Sequence, residues 1–445
     1  LINQKLTSSF VLISFTIAFC CCILVYCFVK DELSYDKHNT RFSDIYRLNI
    51  KAKDQSSKSC NFPGVFYNKF NSVPGIEKYG RLQTYMGERL IRVDNKTFTE
   101  TSFLFADPEI LNILQFDFLV GNANEALNSP FNIIISQSVA QKYFGNNNAI
   151  GKTIGLDNYN FTITGVIKDL PNQSHFSMNF LAPVASYQIM NNNLITQWYM
   201  SAFNYYLLIP GASDKSQIEA QLADIFADGN GIDKSQRGFD MYLEPLGDIH
   251  LHSVGTLWDN ALKGDIKVVK GLAIIALLIL CIAIANYTNV LTSDYRRKAK
   301  IIGIQRVNGA SGLTIIWNQV FESVVFLLTS LALAVLLAWY FMPVVNSLSG
   351  KSLSIDISLL LPCIVVLLIA VVLSVVYPVS FLNTFGLTDA LKNKIALVKT
   401  NGQQPHKWVR GGLITFQLII AILLIASTLV IKSQLKLVMD TKTGF

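Results

Sequence analysis

The sequence predicts an α-helical membrane protein carrying one large α+β domain outside the bilayer. Three observations predict it: 51% of the residues are hydrophobic, only 15% are charged, and the apolar residues are gathered into long uncharged runs. Soluble domains usually carry about 25% charged residues. The deficit across these 445 residues therefore excludes an ordinary cytosolic enzyme, and the same composition excludes a disordered chain.

The first run, Phe10 to Val29, contains no charge. A bilayer core of about 30 Å takes roughly 20 helical residues, so residues 1–30 read as a first transmembrane helix. The run exceeds the apolar core of a signal peptide, and no small-x-small cleavage site follows it before Lys30-Asp31-Glu32.

Residues 31–267 hold no comparable run and read as one external domain. Asp44 to Lys53 alternates as a strand. Val65, Phe66, Phe70 and Val73 share one face of a short helix, and Ile76 to Tyr85 is a second strand. Phe203 to Gly211 is a third, followed by a helix that Asp214 can cap and whose apolar stripe is Ile218, Leu222, Ile225 and Phe226. Phe239 to Leu246 closes the unit. Two β-α-β units flanking an insertion predict a split, ferredoxin-like porter subdomain plus an inserted β-rich lobe from about Leu90 to Met200. Asn132 to Ser136 and Asn160 to Leu170 are the clearest strands of that lobe.

The second half repeats the membrane signature. Gly271 to Val290 gives helix two, within 268–291. Val324 to Val345 and Ile357 to Val379 give helices three and four, within 313–381. Gly411 to Ile431 gives helix five, within 411–432, before a final external segment, 433–445. Basic residues fill two of the connections: Arg296, Arg297, Lys298, Lys300 and Arg306 in 292–312, and Lys392, Lys394, Lys399, Lys407 and Arg410 in 382–410. The loop between helices three and four offers only Lys351. By the positive-inside rule the N-terminus is cytoplasmic and the large domain external. The net charge of +7 is thus a topology signal, and no nucleic-acid partner is expected. Cys20, Cys21, Cys22, Cys27, Cys281 and Cys363 lie in the spans as small apolar residues, leaving Cys60 alone outside.

Catalytic patterns are missing. Gly145 to Thr153 looks like a phosphate-binding loop, but five residues rather than four separate its first glycine from Gly151-Lys152; a turn with Gly145 and Gly151 at strained positions fits better. His250 and His252 would share a face in a strand, but no third ligand lies nearby. There is no nucleophile elbow, no zinc-protease motif and no calcium loop. No catalytic, cofactor or metal site is expected. Within the membrane, Asn286, Tyr287 and Asn289 end helix two and Glu322 begins helix three. Amides there either face another helix or sit at the interface, and nothing forms a polar path across the bilayer.

The connection Ser293 to Gly312 mixes basic residues with an Ile-Ile-Gly-Ile core and an Asn-Gly end. It reads as a short amphipathic helix on the membrane surface, ended by a glycine, which could dock a cytoplasmic partner and carry motion into the adjoining spans.

At this connection the sequence resembles the FtsX-like permeases of ABC transporters, of the MacB and lipoprotein-release type. Lys300-Ile301-Ile302-Gly303-Ile304-Gln305-Arg306-Val307-Asn308-Gly309-Ala310 follows the family's loop after the second span, except that Ile301 stands where an acidic residue is usual. One polar contact of the family's loop is therefore missing. Other stretches are similar in the same order: Glu32 to Asp36 with Ile45-Tyr46-Arg47; Ala140 to Gly145 with Ile150 to Ile154 and Ile163 to Pro171, as in the MacB-like periplasmic core domain; and Tyr377-Pro378 with Leu387 to Lys392.

The resemblance implies a non-catalytic, multi-pass permease subunit of the bacterial inner membrane, with its large domain in the periplasm. A separate cytoplasmic ABC ATPase would dock on Arg297, Lys298, Lys300, Ile302, Gly303, Ile304, Arg306, Gly309 and Ala310. Its ATP-driven motion would reach the periplasmic domain for efflux or extraction of a periplasmic or membrane substrate. Further implied partners are a second permease half or copy and a periplasmic adaptor or outer-membrane component. Helix five runs inside to outside like helix one, as at the start of a second repeat, so the sequence reads as part of a longer, duplicated permease. The alternative from the residues alone is a membrane-anchored sensor with an external ligand-binding domain.

Overall fold

The computed structural model describes residues 2–54, 57–85, 87–94, 96–145, 147–191, 197–198, 200–211, 214–383 and 405–440. The chain divides into two units, Leu1–Lys30 with Lys270–Phe445, and Asp31–Val269.

The Asp31–Val269 unit is built on a four-stranded antiparallel layer. Its strands lie in the order Phe239–Pro245, Ile45–Ala52, Ser201–Leu208, Lys78–Tyr85. In chain order that is fourth, first, third, second, the split arrangement of a ferredoxin-like layer. The 3-10 helix Gly64–Ser72 makes the first crossover and buries Phe66 and Phe70; the Phe70 ring stacks on Tyr205 at 5.0 Å. Helix Lys215–Gly229 makes the second. The Asp214 carboxylate accepts from the Gln217 N–H at 3.3 Å, and Ile218, Leu222, Ala223 and Ala227 are buried; Ile225 and Phe226 stand half-buried at the edge of that stripe.

The inserted β-rich part continues the same sheet. Strand Phe103–Ala106 pairs antiparallel with Lys78–Tyr85, and the ladder continues through Phe180–Pro183, Asn132–Ser136, Tyr159–Ile167, Thr153–Leu156, Arg89–Val93 and Lys96–Glu100. All four residues of Phe103–Ala106 are buried. A strand covered on both faces belongs to a sheet interior, and its pairing removes the exposed edge that Lys78–Tyr85 would otherwise present. Helix Gln137–Phe144, capped by Ser136, links the parallel strands Asn132–Ser136 and Tyr159–Ile167. The sequence after it is the turn expected: Gly145 and Gly151 take φ of +59° and +81°, conformations that glycine adopts without strain. Lys152 is held 4.4 Å over the Phe144 ring, where it serves packing.

Among the described residues, four segments are long and apolar enough to cross a bilayer: Ser9–Glu32, Ile266–Val290, Gly312–Ser349 and Ile414–Gln434. A further apolar helix, Leu360–Asn383, has 24 residues, about 36 Å at 1.5 Å per residue. Helix Gly312–Ser349 buries Ile315, Gln319, Ser323, Leu327, Ser330, Ala334, Ala338 and Met342, a stripe spaced by threes and fours. Its small members let neighbouring backbones approach, the usual packing mode where lipid offers no hydrophobic drive. Phe15 enters this core, 5.5 Å edge-on to Tyr287, which stacks on Phe326 at 5.4 Å. At the far end Lys30 bonds Asp356 at 2.5 Å and Ser358 at 2.6 Å. The bond from Lys30 and those that the Ser358 hydroxyl and N–H donate hold the Asp356 carboxyl down at about 2.

The stripe gives a direct test. Ala338→Leu, at a fully buried position, is expected to destabilise the helix bundle by about 1–3 kcal/mol through overpacking. Leu336→Ala, two residues away and exposed, should leave thermal unfolding in detergent nearly unchanged.

Candidate functional site

The expected coupling segment is the continuation of a membrane span. Arg297, Lys298, Lys300, Ile302, Gly303, Ile304 and Arg306 all lie within one unbroken helix, Ile266–Val307, so the separate surface helix expected from the sequence does not form. The physical reason is local: from Leu291 to Val307 there is no proline, and the lysines, arginines and isoleucines propagate a helix readily. The 17 residues beyond Val290 extend it by about 26 Å.

The end is built as anticipated. Gly309 takes φ +90°, the Asn308 N–H donates to Ile304 O at 3.0 Å, and the Ala310 N–H reaches back to Gln305 O at 2.9 Å. This is a glycine-terminated helix end with its last carbonyls satisfied. Ser311 then caps the next helix, accepting from the Thr314 N–H at 3.1 Å. Ile304 and Gly309 are exposed and Ala310 is half-buried. Residues 384–404, which carry the Leu387 to Lys392 motif and most of the second basic connection, lie outside the described residues.

The intramembrane amides divide differently from their neighbours. Asn286 and Asn289 are half-buried, and Glu322 is exposed. The buried polar contacts belong to Tyr287, whose hydroxyl lies 3.0 Å from Ser323 Oγ, and to Gln319, whose amide donates to Ser323 Oγ at 3.4 Å. Sequence reasoning missed Gln319 and Ser323. Their signal was the spacing of four that continues into Ser330, Ala334 and Ala338.

The Asp31–Val269 unit carries two buried polar networks, which sequence reasoning also missed, near the two ends of its chain. Here the chain leaves the first helix, Ile2–Glu32, and returns toward Ile266–Val307. In the first network Arg47, fully buried, holds Asp259 through two bonds of 2.9 and 2.8 Å and Glu244 at 2.8 Å. Asn49 and Ser253 also donate to Glu244, and Lys263 lies 3.4 Å from Asp259. Burial pushes the Asp259 carboxyl upward, but the Arg47 charge and the bonds from Arg47 and Ala261 outweigh it and hold the group below the ordinary carboxylate range. Burial also pushes the Cys60 thiol up to about 12, leaving it an inert donor to Trp258 O.

The second network uses two histidines. His175 Nδ1 lies 2.8 Å from Asp36 and Nε2 lies 2.7 Å from the Tyr206 hydroxyl. The Asp36 carboxylate is an acceptor, so in the neutral ring the proton sits on Nδ1 and the Tyr206 hydroxyl donates to Nε2. His250 donates from Nδ1 to Leu262 O at 2.7 Å, and its Nε2 lies 2.9 Å from Glu32 Oε2, a contact between two acceptors unless one carries a proton. Tyr35 stacks on the His250 ring at 3.3 Å. Leu262 and Gly264 close the arrangement by donating their N–H groups to His175 O and His250 O. Gly264 permits this approach, since a Cβ there would lie 2.3 Å from Glu32 Oε2. The segment His250 to His252 is thus the end of a helix, Leu246–His252, rather than a strand. Its two rings diverge, and His252 pairs with Asp248 in solvent. No cluster able to hold a metal occurs among the described residues.

Comparisons with known proteins agree with this layout. A family model described as the MacB-like periplasmic core domain matches residues 8–225, and one described as the FtsX-like permease C-terminal domain matches residues 273–386. No curated protein matches the chain. Similar solved structures include the periplasmic region of MacB from Actinobacillus actinomycetemcomitans (15% identity, TM-score 0.36, covering 48% of this chain and 95% of that one). The extracellular domain of the noncanonic ABC-type transporter YknZ from Gram-positive bacteria is similar at 15% identity and TM-score 0.35, over 44% of this chain and 98% of that one. A domain of a protein described as a permease, from Porphyromonas gingivalis, reaches 20% identity and TM-score 0.40 over 46% and 92%. With both family models matched in order, one on the first span and external domain and one on the later spans, the chain belongs to the FtsX/MacB-like permeases of ABC transporters.

Proposed function

We propose that this permease is a mechanical subunit: a separate cytoplasmic ABC ATPase docks on the end of helix Ile266–Val307, and its ATP-driven closure is carried along that helix to the external domain. The observation that supports it is the continuity of the helix from Ile266, through the apolar stretch, to the basic segment and the Gly309 turn. An unbroken helix passes on a displacement that a hinge would absorb. Arg297, Lys298, Lys300, Ile302, Gly303, Ile304, Arg306, Gly309 and Ala310 form the docking end. Asn286, Asn289 and Glu322 face partners within the bilayer, a second permease half or copy among them. The external domain acts on a periplasmic or membrane substrate, with an adaptor or outer-membrane component receiving it, in the bacterial inner membrane.

The docking end is the test. Gly303→Trp and Arg306→Glu are each expected to reduce co-purification of the partner ATPase at least tenfold, about 1.4 kcal/mol or more, while the external domain keeps its thermal unfolding. Undiminished co-purification with both variants would sink the proposal.

A further inference from the structure

The external unit presents an apolar rim whose members are pinned from beneath. Trp258 is 73% exposed and takes φ +57°, a left-handed conformation in which a bulky side chain is a genuine outlier. Strain of this kind persists only where the surroundings enforce it, and it is concentrated at functional positions. The enforcing contacts are on either side: Asp259 is locked to Arg47, and the Trp258 carbonyl accepts from the Cys60 thiol. Leu33, Val254, Leu257 and Leu262 are likewise exposed. Leu33 follows Glu32 and Val254 follows Ser253, both buried members of the two networks, and Leu262 bonds both histidines through its backbone. The networks thus hold a set of apolar side chains outward at fixed positions.

We infer that these exposed residues, Trp258 foremost, seat in the headgroup region of the outer face of the bilayer the chain spans. Two observations select lipid over a protein partner. The first is reach: Leu33 directly follows the helix Ile2–Glu32, and Leu262 precedes the start of helix Ile266–Val307 by four residues, no more than about 14 Å of extended chain. The second is chemistry: a tryptophan among aliphatic residues, followed by Lys267 and Lys270, is the composition that settles at a membrane interface, with the ring at headgroup level and the amines in the phosphates. The rim gives the external domain a lipid footing against which a moving helix can work. The inference rests on the membrane topology and is independent of the ATPase docking.

The test uses the full chain reconstituted in phosphatidylcholine vesicles containing phosphatidylglycerol, with Trp258 emission taken as the difference between the native protein and Trp258→Phe. Headgroup spin-labelled lipid is expected to quench about half of that emission, and aqueous iodide to leave it unchanged. Quenching by iodide but not by lipid would overturn the inference, as would protection from both, which would mark a face covered by protein. Trp317 and Trp339, exposed on helix Gly312–Ser349, report on the membrane reading separately. Bromine in the acyl chains must quench them, and if it does not, the topology fails rather than the rim.

Discussion

Arg47→Ala is expected to destabilise the external domain by about 3–5 kcal/mol, the cost of breaking a buried ion pair by removing one partner. The substitution strands Asp259, whose side chain is fully buried, and Glu244, which is nearly so. Only Lys263, 3.4 Å from Asp259, remains as a cation. Glu244 keeps its bonds from Asn49 and Ser253 but loses its counter-charge. Trp198, packed against Phe66 in the same domain, is a local fluorescence reporter for denaturant unfolding of the full chain. A loss below about 1 kcal/mol, the range of a surface ion pair, would refute the assignment of a buried cluster. The same group sets an acid limit. Asp259 has a folded-state pKa below the ordinary value, so its contribution is complete above about pH 4 and is lost as pH falls through the folded value. Asp259→Asn should accordingly flatten the acid limb of the stability profile while lowering stability at neutral pH.

His250→Ala is expected to abolish transport while leaving the ATPase bound. It removes the ring that joins Glu32, the last residue of the first helix, to Leu262, four residues before the helix Ile266–Val307. Glu32, buried, loses its contact with His250, at a cost of about 1–3 kcal/mol, and Tyr35 loses its stacking on the His250 ring. The proposed docking end is untouched, so on the proposed mechanism the two variants should differ: Gly303→Trp is expected to lose the ATPase, whereas His250→Ala is expected to keep it and idle. His250→Gln, which retains a donor and an acceptor, should recover part of the activity. Full transport by His250→Ala would show that the two connections need no rigid tie.

Much of this was legible in the sequence because it is carried by local patterns. The Phe10 to Val29 run, the basic residues flanking Ile301-Ile302, the alternation in Ile45–Ala52 and the Asp214 cap each require only neighbours along the chain to be read. The continuity of the long helix through Arg297 was missed because the change from apolar to basic residues at Leu291 resembles an element boundary, although nothing in those residues stops a helix. How the inserted β-rich part joins the rest was not legible, because no local period tells which edge Phe103–Ala106 pairs with. The buried networks were invisible for a related reason: Arg47 and Asp259 are 212 positions apart, and no periodicity links them.

By itself, then, the sequence determined which segments are long and apolar enough to enter a bilayer, which face of each element is apolar, and the family to which the chain belongs. These follow from composition and from helical and strand periods, which every residue expresses where it stands. Only the tertiary structure decided that Arg47, His175 and His250 bind both connections to the spans into one block, and that Trp258 is turned outward beside it. A charged or strained residue becomes tolerable only once distant partners arrive, and the chain's topology alone sets which partners those are.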